Sequence, residues 1–329
     1  MIQASERVPN VETQPAMIKV RNLWKSFGET VAVRDVSFEV RRGEVLGFLG
    51  PNAAGKTTTM RILTCYLSAD RGDAEVAGHD VFERPLEVRK RIGYLPESAP
   101  LYMDLGVVEC LEFISELRGI PGTERSARIK KMVEICGLGE VMHKTIGQLS
   151  KGFRQRVGLA LTLVHDPDIL ILDEPTSGLD PNQIVEIREL IRRIGREKTI
   201  ILCTHILPEV QVTCDRVLII NRGELVASGT PEELASRGGG GASVRLEIRG
   251  PQEEIEAGLR ALEGVTSIQW TAADRPEWHR YTLKTSNGGL LTEHVFRLAV
   301  EKNWVLSELG KEKASLEEVF AALTAGERA

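Results

Sequence analysis

The stretch GPNAAGKTTTM, residues 50–60, decides how the first two-thirds of the chain is read. Its spacing, Gly50-x-x-x-x-Gly55-Lys56-Thr57, is that of a loop whose backbone amides converge on a phosphate at a helix N-terminus. The context agrees. EVLGFLG, residues 44–50, is a short apolar run expected as a buried strand. KTTTMRILTCYL, residues 56–67, spaces Met60, Leu63, Tyr66 and Leu67 as a helix would. Ala53 stands where many such loops carry glycine. If the loop needs a positive φ there, alanine costs about 1 kcal/mol and leaves Lys56, Thr57 and the amides in place.

Outward from the loop, ILILDEP, residues 169–175, is a second buried strand with Asp173 at its C-terminal end and Glu174 next. An acid there completes a magnesium site with the Thr57 hydroxyl, Lys56 reaches the β- and γ-phosphates, and Glu174 is placed to polarise an attacking water. Taken without Lys56 and Thr57, the same pair of acids also reads as a cap on the next helix.

The rest of the chain fits a layered α/β protein. MIKVRNLW and TVAVRDVSFEV read as strands, residues 97–165 are mainly helical, and KTIILCTH is a further buried strand after the helix PNQIVEIRELIRRIG. RVLIINRGELVASG is expected to turn at Asn221-Arg222-Gly223. Residues 1–16 are polar and expected to be disordered, and 236–242 is a Gly-rich linker. Residues 243–329 follow the order βαββαβ, which predicts a small ferredoxin-like domain of the α+β class. A last helix opens with a capping box, Ser315 and Glu318, and puts Leu316, Val319, Phe320 and Leu323 on one face.

Bulk properties exclude several classes. With 329 residues the chain can hold two cored domains. A net charge of −5 gives no electrostatic case for nucleic acid, so none is expected as a partner. No apolar run reaches the length needed to span a bilayer, and the N-terminus lacks the apolar core of a signal peptide. The five cysteines form no C-x-x-C pair and are expected as buried thiols.

Between the loop and the acid strand lies LSKGFRQRV, residues 149–157. With the loop and ILILDEP, it resembles the signature of ATP-binding cassette (ABC) transporters, usually LSGGQ, and the resemblance covers residues 17–235. It implies a P-loop NTPase fold with a RecA-like core, an antiparallel β subdomain and an α-helical subdomain at about 97–165. It also implies ATP and Mg2+ as ligands, a homodimer, and an integral-membrane permease subunit met at the cytoplasmic face of the membrane. In such a dimer, Gly50, Pro51, Asn52, Ala53, Ala54, Gly55, Lys56, Thr57 and Thr58 of one subunit face Leu149, Ser150, Lys151, Gly152 and Phe153 of the other. Ser150 also reads as a plain helix N-cap, and both roles coexist in the family. SGLD, residues 177–180, resembles the D-loop that crosses the interface at Asp180. His205 resembles the switch histidine that contacts the γ-phosphate. The other histidines, His79, His143, His165, His279 and His294, are expected at surfaces. Phe27 matches the aromatic that stacks on adenine, or else it is a core residue between two strands.

Two further departures from the family stand out. IGYLPES, residues 92–98, matches the Q-loop, but Glu97 replaces glutamine, and a carboxylate ligates magnesium without the amide's donor. Lys151 replaces the first signature glycine and Phe153 the glutamine. Lys151 either adds a cation near the opposed γ-phosphate or points to solvent. These features resemble the cassettes of type-2 exporters, within them the gliding-motility-associated branch. Such a chain would energise export. The rival, a soluble cassette ATPase acting on ribosomes or DNA, fits less well. Its translation-factor members carry two cassettes in a chain and its DNA-repair members a long coiled coil, and neither pattern is present. A module that binds without hydrolysing is opposed by intact Lys56, Asp173, Glu174 and His205.

Overall fold

A computed structural model describes residues 14–237, 243–273, 275, 277–285, 291–312 and 316–324. The chain divides into two compact units, one running to Pro231 and one beginning at Glu232.

In the first unit, strand β1 (Ala16–Phe27) pairs antiparallel with β2 (Thr30–Arg41). Strand β3 (Val45–Leu49) leads through the glycine loop into helix α1 (Lys56–Leu63). Then come β4 (Arg71–Val76), β5 (His79–Asp80), α2 (Pro85–Arg91) and β6 (Ile92–Leu95). Helices α3 (Val107–Leu117), α4 (Gly122–Cys136) and α5 (Lys151–Leu163) pack on one another, and α5 also meets β6. The unit continues with β7 (Ile169–Asp173), α6 (Pro181–Gly195), β8 (Thr199–Thr204), α7 (Leu207–Thr213), β9 (Arg216–Asn221) and β10 (Glu224–Gly229).

Two sheets result. One is antiparallel, in the order β2-β1-β4-β5, and the other runs β10-β9-β3-β8-β7-β6. In the second sheet β9, β3, β8, β7 and β6 are parallel and β10 adds an antiparallel edge. Every residue of β3, β7 and β8 is buried. Covered on both faces, such strands read as unbroken apolar runs. Helix α1 packs against β2, β4 and β7, so it lies between the sheets. One core joins them, with Ile18, Val33 and Val36 from the first and Phe48, Ile171 and Ile201 from the second.

Several expectations change. The helix from Lys56 stops at Leu63, short of Tyr66 and Leu67. The Thr64 hydroxyl donates back to the Met60 carbonyl at 2.9 Å, and Cys65 takes φ +58, which no helix continues through. Elements β4, β5, α2, β6 and α7 carry no clear sequence signal, because each is short or weakly patterned. The hairpin β9–β10 turns at Arg222 and Gly223 with φ of +50 and +83, as a two-residue hairpin loop requires. Helix α8 (Pro231–Arg237) takes in the first two residues of the expected linker, and 238–242 lie outside the described residues, as do 1–13 of the expected N-terminal extension. Cys110, Cys136, Cys203 and Cys214 are buried free thiols and Cys65 is half-buried. His165 is half-buried rather than exposed. Burial pushes its pKa down to about 4, so the ring is neutral and its Nε2 donates to the Ile92 carbonyl at 3.1 Å. His79 is half-buried, and its Nδ1 is shut off from solvent.

The second unit runs β11 (Ser243–Arg249), α9 (Gln252–Arg260), β12 (Val265–Ala272), β13 (Trp278–Thr285), α10 (Leu291–Glu301) and β14 (Val305–Glu312), then α11 (Leu316–Thr324). Its sheet is ordered β12-β13-β11-β14 with every neighbour antiparallel, the split βαβ arrangement. Val244, Leu246, Ile248, Tyr281 and Leu283 face Ile255, Leu259, Leu291 and Val295 in its core. In α11, Leu316 and Val319 are buried, while Ser315 of the expected capping box and the Glu318 side chain lie outside the described residues.

Phe48 is fully buried on β3, with its ring centroid 5.5 Å from that of Phe38 on β2. It therefore bridges the two sheets. Phe48→Ala is expected to cost about 3–5 kcal/mol, read as a lower urea midpoint. The same truncation at Phe113, whose ring is exposed on α3, should leave the midpoint near wild type.

Candidate active site

The turn between β3 and α1 is held by its glycines. A Cβ on Gly50 would stand 2.4 Å from the Ile220 carbonyl oxygen. A Cβ on Gly55, whose φ is +106, would stand 2.4 Å from that of Ala32. The loop is thus pressed against β2 and the β9–β10 hairpin, and the Gly223 N–H donates to the Ala54 carbonyl at 2.9 Å. Ala53 does take a positive φ, +63, so the strain foreseen for it is present. Thr57 and Thr58, the residues after Lys56, are half-buried at the start of α1.

Lys56 is 6% exposed, and its ammonium donates to the carbonyls of Gly50 at 2.7 Å and Pro51 at 3.1 Å. The same Nζ stands 3.5 Å from Oε1 of Glu174. Glu174 sits one residue beyond β7, is buried, and has φ +48. Its N–H donates to the Cys203 carbonyl at 2.9 Å, which ties this strained residue to β8. Nδ1 of His205, directly after β8, lies 2.9 Å from each Glu174 oxygen. A carboxylate only accepts, so Nδ1 carries the proton.

Asp173, at the end of β7, is buried, and neither carboxylate oxygen has a hydrogen-bond partner. Burial raises its pKa first. The nearby Thr57 hydroxyl and Lys56 pull it down, while Glu174 and Glu97 push it up. Thr57 acts at close range without forming a hydrogen bond of ordinary geometry, so the two oxygens stay orphaned. Two unpaired buried oxygens beside a hydroxyl, with a second carboxylate adjacent, suit a small hard divalent cation whose remaining ligands are phosphate oxygens and water.

The other expected residues fall around this centre. Phe27 ends β1 and is 51% exposed, with the Lys25 ammonium 5.6 Å from its ring centroid. It is therefore not a core aromatic, and its face is open to a ligand. Glu97 is exposed two residues past β6, within electrostatic reach of Asp173. Ser150 caps α5 by accepting from the Phe153 N–H at 3.3 Å. Leu149 and Gly152 are buried, and a Cβ on Gly152 would meet the Gln183 side chain at 2.7 Å. Phe153 is half-buried and lies 5.9 Å from the Arg156 guanidinium. Lys151 is exposed as a residue, yet its ammonium reaches over Gly178 of the same chain, within 2.2 Å of where a Cβ would stand. Asp180 caps α6, accepting from the Gln183 N–H at 2.9 Å.

The sequence profile described as "ABC transporter" matches residues 33–177, and an AAA-domain profile matches 145–212. The linearmycin resistance ATP-binding protein LnrL of Bacillus subtilis is 33% identical over 253 residues, 77% of this chain and 81% of its own. The chain belongs to the ABC transporter family. It is an ATP-binding subunit, an ATPase cassette. An uncharacterized ABC transporter ATP-binding protein of Bacillus subtilis, YxlF, is 38% identical over 306 residues, 92% of this chain and 98% of its own. Among solved structures, cbiO1 of Clostridium perfringens, part of the ABC transporter complex cbiONQ, superposes with a TM-score of 0.62 at 29% identity, covering 67% of this chain and 90% of that one. Neither curated relative's name refers to gliding motility.

What reading motifs missed in this cassette is a buried acid, Glu209 on α7. It accepts from the hydroxyls of Thr204, at 2.9 Å, and of Thr176. An acidic residue inside the otherwise apolar start of a helix was the available signal.

Two substitutions test this geometry. Ala53→Gly relieves a positive φ and should raise stability by up to about 1 kcal/mol, seen in chemical denaturation with the KM for ATP unchanged. Asp173 binds a proton more tightly folded than unfolded. Between the ordinary carboxylate pKa of about 4 and its raised value, the folded state therefore holds more protons, and stability falls as pH rises. Asp173→Asn should remove that loss and raise the nucleotide-free melting temperature at neutral pH. A variant that melts below wild type across the neutral range contradicts this account of Asp173.

Proposed function

We propose that the cassette hydrolyses ATP at a composite site shared by two copies and so drives an exporter built on a separate membrane subunit. The observation that carries this reading is the Glu174 carboxylate, held between Lys56 and His205 beside Asp173. Such a carboxylate is oriented before any water arrives and sits where the γ-phosphate of a loop-bound ATP ends.

Lys56 and the loop amides bind the phosphates, and Phe27 offers a face for the adenine. Thr57 and Asp173, with Glu97 in reach, would hold Mg2+, which would neutralise charge that develops on the phosphates. Glu174 takes a proton from water as the water oxygen attacks the γ-phosphorus. The bond to the β–γ bridging oxygen breaks, and ADP and phosphate leave. His205 fixes Glu174 through its Nδ1–H, and Nε2 meets the γ-phosphate as a second donor when the ring carries both protons. Ser150 and Gly152 of a second copy close the site. Dimer closure with ATP and opening after hydrolysis shift a two-state equilibrium.

Among the described residues no helix is long and apolar enough to cross a membrane. The spanning part is assigned to a permease subunit, with the cassette at its cytoplasmic face. Residues 97–145 are the proposed docking region. They carry exposed Tyr102, Met103, Phe113 and Leu117, and Tyr102 meets Phe113 edge to face at 5.9 Å between centroids. An export role is supported by the type-2 exporter motifs and by the resistance function in the name of LnrL. The second unit is proposed as an accessory domain of the cassette.

Glu174→Gln keeps the shape of the side chain and loses the base. Phosphate release should fall by about a hundredfold or more, while ATP still drives a dimer visible by size-exclusion chromatography. Turnover at the wild-type rate in this variant removes Glu174 from the role of base.

A further inference from the structure

The two catalytic side chains of this reading, Glu174 and His205, come from different strands, and their registration is not explained by the bond between them. His205 is 46% exposed and its backbone belongs to a loop. Glu174 begins a turn in which the Ser177 N–H donates to its carbonyl at 3.1 Å and the Leu179 N–H to that of Thr176 at 3.2 Å. The Glu174 N–H ties its backbone to the Cys203 carbonyl of β8, and a side-chain anchor lies beneath both segments.

Glu209 is 1% exposed. One of its oxygens accepts from Thr176, in the turn two residues after Glu174, and the other from Thr204 at 2.9 Å, the residue before His205. The Thr204 oxygen in turn accepts from the Ile206 N–H at 3.0 Å, on the far side of His205. One carboxylate thus joins the turn after β7, the end of β8 and the start of α7. Burial is the main influence on its pKa and raises it. The two threonine hydroxyls oppose that rise, Glu174 adds to it, and Arg188 lowers it. A buried acid is costly to keep, and an alanine or leucine would serve packing as well.

We infer that Glu209 is a positioning residue for hydrolysis, a clamp that fixes the backbones carrying Glu174 and His205 by binding Thr176 and Thr204 at once. The clamp rests on the assignment of Glu174 and His205 above. It also places the turn containing Ser177–Asp180, the segment expected to cross to the second copy, under the same anchor as the base. A shift of that turn therefore reaches Glu174 through Thr176 and His205 through Thr204. The chemistry of the pair explains why a carboxylate is used. Two hydroxyl donors need two acceptor oxygens on one group, and an amide offers only one. With glutamine the NH2 end only donates, so the threonine facing it must turn its hydroxyl to accept and loses its role as donor.

The test is steady-state ATP hydrolysis by the full chain with Glu209→Gln, Thr176→Val, Thr204→Val and the conservative Thr176→Ser and Thr204→Ser, each with its melting temperature. Glu209→Gln should lower kcat tenfold or more with the KM for ATP within twofold of wild type and the melting temperature preserved. Each valine variant should lower kcat in the same way, and each serine variant, which keeps the hydroxyl, should restore it. A wild-type kcat in folded Glu209→Gln overturns the clamp, as does a loss of kcat that only follows the melting temperature. Serine variants as impaired as the valine ones overturn it too. Glu174→Gln measured alongside separates the two readings. If that variant is inactive and Glu209→Gln is not, the clamp alone fails. If it turns over normally, the assignment of the base fails.

Discussion

The Glu174 carboxylate stands 3.5 Å from the Lys56 ammonium and 2.9 Å from His205 Nδ1, and the active site is organised around those two contacts. They join three segments that do not touch in sequence: the start of α1, the end of β7 and the end of β8. Each partner is itself constrained. Lys56 is tied to the Gly50 and Pro51 carbonyls, and Glu174 holds a left-handed backbone against Cys203. Charges this well buried interact in a low effective dielectric, so a small displacement of any segment changes the energy of all three.

The parallel sheet makes that arrangement possible. In open α/β sheets ligands gather outside the carboxyl ends of the strands. Here β3, β7 and β8 deliver Gly50, Asp173, Glu174 and His205 to the same edge. The strands are buried along their whole length, which fixes their register and leaves the strand ends as the places where polar residues emerge. The antiparallel sheet brings Ala32 against the glycine loop and Phe27 to its half-exposed position. Two non-glycine residues at this edge, Ala53 and Glu174, hold a positive φ. The glycine loop and the bond from the Glu174 N–H to the Cys203 carbonyl hold these two backbones in place.

Local and periodic features were legible in the sequence. The loop, the acid strand, helix α6 and the hairpin at Arg222-Gly223 all announce themselves through residue type and spacing. Short elements such as β5 and α7 did not, because a few residues carry too little period to separate from a loop. The end of α1 was misjudged for a different reason. Tyr66 and Leu67 keep helical spacing, but the backbone has already turned left-handed at Cys65. Phe27 could be read two ways until its exposure excluded the core.

By itself the sequence determined the cassette, since Gly50, Gly55, Lys56, Thr57, Asp173 and Glu174 answer to chemistry at fixed local spacing. Only the tertiary structure decided which distant groups meet. It placed the Lys151 ammonium over Gly178, set half-buried His165 against the Ile92 carbonyl, and set Glu209 beneath both Thr176 and Thr204. The physical reason is that hydrogen bonds and ion pairs act over a few ångströms of space. The sheet register brings residues dozens of positions apart within that range, and no local pattern records it.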